Sequence, residues 1–107
     1  MKRFEVVYRP EAIADIDSVF LYILEASRNA SVAAAYTDRV LERCERIGDA
    51  PRGGVAREDL GPGIRMVPFE KSAVILYRTE GETVVVVNIF YGRRDYEAIM
   101  IRTAKNH

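Results

Sequence analysis

Four arginines stand where strand-like segments begin or end. Arg65 lies near the start of one such segment, Arg78 closes another, and Arg93-Arg94 follow a third, directly after Tyr91-Gly92 and just before Tyr96. A guanidinium is a permanently charged planar fork that binds carboxylate or phosphate through two parallel hydrogen bonds. Glycine permits a sharp bend, and arginine with tyrosine forms the residue pair that most often dominates interfaces. Taken singly, each arginine is an ordinary solvated surface residue. Taken with Tyr91, Gly92 and Tyr96, and with neighbouring antiparallel strands expected to draw their ends together, they point to a contact surface for another macromolecule.

Other chemistries find less support. His107 is the sole histidine and ends the chain, so no serine or cysteine triad can be assembled around it. Cys44 is the sole cysteine; it can form neither an internal disulfide nor a cysteine zinc site, and within a helical pattern it reads as a buried, inert thiol. Glu11 and Asp15 share a helix face, but without further clustered acids they read as solvated carboxylates rather than metal ligands. The glycine-rich stretch GDAPRGGVAREDLGPG lacks the Gly-Lys-Ser/Thr ending and the preceding strand of a phosphate-binding loop. No metal, no cofactor and no catalytic set is expected.

The elements that must position the arginines follow from periodicity. RFEVVY, residues 3–8, reads as a short strand. Pro10 suits the first turn of a helix, where its missing N–H has no partner to lose. From there Ile13, Ile16, Phe20 and Ile23, widened by Ala12, Val19 and Leu24, form an amphipathic stripe. Asn29 or Ser31 separates this helix from a second, which carries Val32, Tyr36, Val40, Cys44 and Ile47 on one side. Gly48 closes the second helix, with a left-handed conformation expected there. Glu42 and Arg46 are spaced as an i,i+4 pair, worth a few tenths of a kcal/mol. Residues 48–63 hold five glycines and two of the chain's four prolines and read as a long loop. Three strands follow: 64–69, with Pro68 suggesting an edge or an end; 72–78; and 83–91, the last two joined at Glu80-Gly81. The expected fold is α+β: an antiparallel helical hairpin on one face of a mostly antiparallel four-stranded sheet, in the order β-α-α-β-β-β.

Such a sheet raises a covering problem. Strict alternation along 83–91 puts Val85, Val87, Ile89 and Tyr91 on one side and Val84, Val86, Asn88 and Phe90 on the other. Both sets are largely apolar, and two helices cover only one face. The other face is covered either by the long loop and the C-terminal tail or by a second polypeptide; the size of the patch favours the second polypeptide.

The length of 107 residues, with 49% hydrophobic and 30% charged side chains, fits one soluble domain spanning 1–107. No apolar run approaches the ~20 residues needed to cross a bilayer, and a cytoplasmic location is expected. Sixteen basic residues balance sixteen acidic ones, which argues against broad nucleic-acid binding.

The chain resembles the ParE/RelE superfamily of bacterial toxin–antitoxin toxins, and more closely its ParE branch. The likeness runs through RPEAIADIDSVFLYI, LERCERIGDAPRGG, LGPGIR and, most specifically, VVVVNIFYGRRDYEAIM. Many relatives carry histidine where this chain has Tyr91. The resemblance implies a toxin neutralised by a cognate ParD-like antitoxin whose C-terminal segment wraps around it, forming a hetero-oligomer. ParE-type members poison DNA gyrase, whereas RelE-type members share the fold and cut messenger RNA on the ribosome. Metal-free RNA cleavage needs a base, an acid and cations around the phosphate. Here the tail after Tyr96 holds no aromatic residue, and lysines are limited to Lys2, Lys71 and Lys105. The resemblance therefore implies gyrase inhibition by binding, with Tyr91, Arg93, Arg94 and Tyr96 as target contacts and Arg65 and Arg78 supporting. Antitoxin contacts fall on the helical hairpin and sheet edge, at Phe20, Tyr36 and Phe69. Nucleic acid enters only through gyrase or the antitoxin. The alternatives are a ribosome-dependent endoribonuclease and an inactive homologue that serves only as antitoxin partner in a repressor complex.

Overall fold

The computed structural model describes residues 2–92, 97 and 99–101. Strand β1 (Glu5–Tyr8) leads into helix α1 (Pro10–Ser27), which begins with proline in its first turn. Helix α1 stops at Arg28, whose φ of 54° is left-handed and whose N–H returns to the Leu24 carbonyl. Two residues later helix α2 (Ala30–Ile47) starts, capped by the Asn29 side chain, which accepts from the backbone N–H groups of Ser31 and Val32. The chain thus reverses within a few residues and the helices pack as a hairpin.

Gly48 closes α2 for a reason other than the one its position suggests. Its φ is −59°, ordinary right-handed geometry. A Cβ there would collide with the Phe4 carbonyl oxygen and press on the Val6 side chain, so glycine is required by the close approach of β1. The adjoining contact is the Phe4 N–H donating to the Gly48 carbonyl at 2.9 Å.

The sheet has five strands, not four, and is mixed. Its order is β1-β5-β4-β3-β2, where β2 is Val55–Ala56, β3 Arg65–Phe69, β4 Ala73–Glu80 and β5 Thr83–Tyr91. The additional strand lies in the segment expected to be entirely loop, and a 3-10 turn at Glu58–Leu60 follows it. Two residues carry too little periodicity to be read as a strand; β2 exists because β3 offers Arg65 and Met66 as antiparallel partners. Strand β1 runs parallel to β5, a pairing allowed by the long helical crossover between them. The β4–β5 turn is Gly81-Glu82, with Gly81 at φ 61°.

One irregularity changes the faces of the sheet. Leu76 pairs with Asn88, yet Tyr77 pairs with Val86, so β5 carries one extra residue at Val87. This β-bulge reverses the alternation. Val84, Val86 and Ile89 therefore face the helices together, and Tyr91 packs with them, while Val87 and Phe90 serve the opposite side. The sides expected from strict alternation hold on only one half of the strand.

The main core lies between the hairpin and the sheet: Ala12, Val19 and Ile23 of α1, Tyr36, Val40, Cys44 and Ile47 of α2, and the inward strand residues. Ile13 and Val32, expected within the helical stripes, are instead 52% and 48% exposed. The second face is not left for a partner. Leu60 of the long loop, Ile64 just before β3, and Ile99 and Met100 of a C-terminal helical segment lie over Leu76 and Phe90, with Met66, Val74 and Val87 around them. The chain's own loop and tail cover the patch for which a second polypeptide was the favoured expectation.

Candidate interaction surface

Neighbouring antiparallel strands end at opposite ends of a sheet, and this disperses the arginines. Arg65 pairs with Tyr77 and Arg78 with Val85, whereas Tyr91 pairs with Ala73. From Val85 to Tyr91 is about 20 Å at strand rise. Arg65 and Arg78 thus lie at one end of the sheet and Tyr91-Gly92 at the other. Nor do the first two act together. The Arg65 guanidinium donates to the carbonyls of Gly54 at 2.7 Å and Arg52 at 3.3 Å. Arg78 lines the same hollow as Val87 and Met100, on the opposite side from the helices, and donates to Glu80 at 2.7 Å. Arg93, Arg94 and Tyr96 lie outside the described residues, as does His107.

Tyr91 belongs to a different structure, a chain of rings across the helix side. Tyr22 and Tyr91 have centroids 5.4 Å apart, Tyr91 and Tyr36 5.3 Å, and Tyr36 and Phe69 5.6 Å, the last two edge-on. Edge-to-face contacts of this kind match ring quadrupoles. Tyr36 and Phe69 are only 8% and 7% exposed, so they hold α2 to the sheet rather than offer surface; Phe20 is half-buried against the same core. Burial raises the Tyr36 phenol above its ordinary pKa, and its hydroxyl shares a 2.8 Å hydrogen bond with Ser72. Arg39 sits 5.4 Å over the Tyr36 ring and forks onto Glu70.

The exposed end of this ring chain opens into a groove. Asp15, Ser18, Val19 and Tyr22 of α1 face Ile89, Tyr91 and Gly92 across about 450 Å³. The groove exists because β1 is short. Its ladder ends where the Arg9 N–H reaches the Val86 carbonyl, and among the described residues no strand pairs with the outer edge of β5 beyond Val86. Asp15 fills part of the vacancy: its Oδ2 accepts the Ile89 N–H and the Asn88 amide, both at 2.9 Å. By alternation the Tyr91 N–H points to the same outer edge. On α1, Tyr22 at the groove is 60% exposed; Leu21, also 60% exposed, and Ile13 face outward on other sides of the helix. Helix α1 itself carries Glu11, Asp15, Asp17 and Glu25 and no basic residue. The surface is apolar, acidic and edged by open backbone, which suits a peptide and not a small metabolite.

Nothing described resembles a metal centre or a reactive thiol. Among the described residues no three His, Cys, Asp or Glu side chains cluster as ligands, and no helix is long and apolar enough to cross a membrane. Cys44 is buried, and burial pushes its thiol up to about 12. The groove was missed in sequence because it depends on where β1 stops and on the bulge at Val87. A trace was present in Asn88, a polar residue breaking a run of valine and isoleucine.

Three comparisons bear on this geometry. Residues 6–96 match the family model described as ParE toxin of type II toxin-antitoxin system, parDE. Toxin ParE3 of Caulobacter vibrioides is 37% identical over 84 residues, covering 78% of this chain and 82% of that protein. In fold, the chain is similar to a structure from the chromosomal ParDE TA system of P. aeruginosa, with a TM-score of 0.73 at 16% identity, covering 85% of this chain and 98% of the other.

Proposed function

This chain belongs to the ParE toxin family of type II toxin–antitoxin systems, and from there we propose that it arrests growth by binding DNA gyrase and is held inactive by a cognate ParD-like antitoxin. The family match over residues 6–96 carries the reading. Dispersal of the arginines supports binding over catalysis: Arg65 spends its guanidinium on loop carbonyls, Arg78 is paired within its own strand, and the two stand far from Gly92. A cleavage site would need acid, base and phosphate-holding cation within hydrogen-bond reach of one another.

Target contact is assigned to the segment after Gly92, through Arg93, Arg94 and Tyr96, with Tyr91 at its base. Antitoxin contact is assigned to α1 and the open edge of β5, with Tyr22 at the groove and Phe20, Leu21 and Ile13 on other sides of the same helix. Tyr36 and Phe69 support that surface from beneath.

Gyrase supercoiling and cleavage of ribosome-bound message, assayed side by side with the purified chain, test the reading. Loss of supercoiling with trapped DNA breaks is expected. Cuts in message with gyrase unaffected would replace it with the ribonuclease reading. Silence in both assays, with no growth arrest on expression alone, would leave only a partner role in a repressor complex.

A further inference from the structure

The groove between α1 and β5 carries a carboxylate that no described cation answers. Asp15 is half-buried and lines the groove. Its Oδ2 is taken by the Ile89 N–H and the Asn88 amide, both at 2.9 Å. Its Oδ1 accepts from no described residue, and it is open to solvent, since no buried side-chain oxygen among the described residues lacks a partner. Among the described residues, no lysine or arginine forms an ion pair with Asp15. The two donors on Oδ2 hold the carboxylate in place, so the open oxygen is presented in a fixed direction.

The residues around that oxygen are a hydroxyl and two rings. Ser18 and Tyr22 follow Asp15 at helical spacings of three and four, which puts all three on one face of α1. The Ser18 hydroxyl has no described partner. Tyr22 packs against Tyr91 with centroids 5.4 Å apart, yet it is 60% exposed and leaves ring surface at the mouth of the groove. Helix α1 adds Glu11, Asp17 and Glu25 and no basic residue, so its field draws cations.

These features select one chemistry. An apolar side chain seated here would desolvate the Asp15 charge without pairing it. A metal ion would need more ligands than the described residues bring together. An ammonium is compact and strongly hydrated and gains little from the rings. A guanidinium stacks its planar face on tyrosine while its N–H donors reach both the carboxylate and the hydroxyl. The edge of β5 at Tyr91, unpaired beyond the end of β1, borders the same groove and gives a polypeptide main chain somewhere to lie.

We propose that this groove receives an arginine side chain from a protein partner, seated on Asp15 Oδ1 and the Ser18 hydroxyl and stacked on Tyr22, and that Asp15 is thereby a specificity-determining residue for that partner. Naming the antitoxin as the partner rests on the reading above; the guanidinium seat itself does not.

The test titrates the full chain with the antitoxin by calorimetry, as the parent and as Asp15→Asn, which still accepts the Ile89 N–H but carries no charge. Each arginine and lysine of the antitoxin is changed in turn to glutamine. Asp15→Asn is expected to weaken binding by about ten- to hundredfold, the scale of a close interfacial charge pair. One antitoxin arginine is expected to matter as much against the parent and little against Asp15→Asn, the signature of direct coupling. Absence of any coupled cation would overturn the proposal, and coupling to a lysine would overturn the guanidinium assignment. A second measurement uses the parent chain alone, so it decides even if Asp15→Asn does not fold. N-acetyl-arginine methylamide and its uncharged citrulline analogue are titrated while the Asn88 side-chain amide and the Tyr91 N–H are followed by NMR. Saturable shifts are expected with arginine, at an affinity about threefold or more above that of citrulline. Equal shifts with both, or none with either, would overturn the seat. If the antitoxin does not bind the parent chain, the antitoxin reading fails, and the two blocked amino acids alone decide the seat.

Discussion

Asp15, in the second turn of α1, accepts the backbone N–H of Ile89 at 2.9 Å and so stands where a neighbouring strand would otherwise pair. The same oxygen receives the Asn88 amide. A helix carboxylate thus stitches the half of β5 beyond its bulge, at the point where β1 has run out. Replacing Asp15 by alanine leaves the Ile89 N–H and the Asn88 amide without this acceptor. A loss of about 1–3 kcal/mol is expected from denaturant titration, with Asp15→Asn losing less because its carbonyl still accepts. Equal stability of Asp15→Ala and the parent would show that water replaces the carboxylate without penalty.

Tyr77 pins the long loop from beneath. Its fully buried hydroxyl receives the Gly54 N–H at 3.0 Å and donates to the Pro51 carbonyl at 2.9 Å. Tyr77→Phe is expected to destabilise the fold by about 1–2 kcal/mol. Gly54→Ala should do at least as much harm, since its Cβ would lie 2.6 Å from that hydroxyl and 3.1 Å from the Met66 carbonyl oxygen. Thermal melting of the two variants and their combination checks this. Because both act on one contact, their effects should fall short of additive.

The exposed residues of α1 are expected to matter for partner binding and little for folding. Tyr22→Ala and Leu21→Asp remove or reverse apolar surface that is 60% exposed at each position. Antitoxin affinity should fall at least tenfold, roughly the scale of an interface anchor, while stability changes by no more than about 0.5 kcal/mol for Leu21→Asp and by about 0.5–1.5 kcal/mol for Tyr22→Ala, which also loses the Tyr91 ring. Calorimetric titration against the antitoxin, set beside melting curves, decides it. Unchanged affinity in both variants would move the antitoxin surface elsewhere.

Alkaline pH should weaken the fold through Cys44. Burial raises its thiol from an ordinary 9.0 to about 12, so the folded state keeps the proton that the unfolded chain releases. The sign follows: stability is full below pH 9 and declines as pH rises from 9 toward 12. From this one group the decline is at most about 1.4 kcal/mol per pH unit. Tyr8, raised by burial and by its hydrogen bond to Glu45, acts in the same direction. Denaturant midpoints between pH 8 and 10.5 test this. A Cys44→Ala variant with an unchanged slope would remove the thiol from the account.

Elements carried by long, periodic patterns were legible from the residues. Helix α1 runs from Pro10 to Ser27 as its stripe and proline require, Asn29 caps α2, and β5 spans Thr83–Tyr91. Each depends on contacts within a few residues, which a linear pattern records. Strand β2 was not legible, since Val55-Ala56 extends only because Met66 and Arg65 lie alongside. The bulge at Val87 was also hidden, and with it the sides to which Ile89 and Tyr91 belong. Phe20, Tyr36 and Phe69 show the same limit: an aromatic residue at helical or strand spacing has the same signature whether it faces a core or a partner.

By itself, then, the order of residues determined the α+β class, the helical hairpin, the main strands and the family, because local propensity and motif are written along the chain. Tertiary structure alone decided which face the chain covers for itself, how far apart Arg65 and Tyr91 stand, and that Arg57 meets Glu97. Those relations join residues remote in sequence. They are set by strand direction, register and the room left by packing, and no local pattern carries that information.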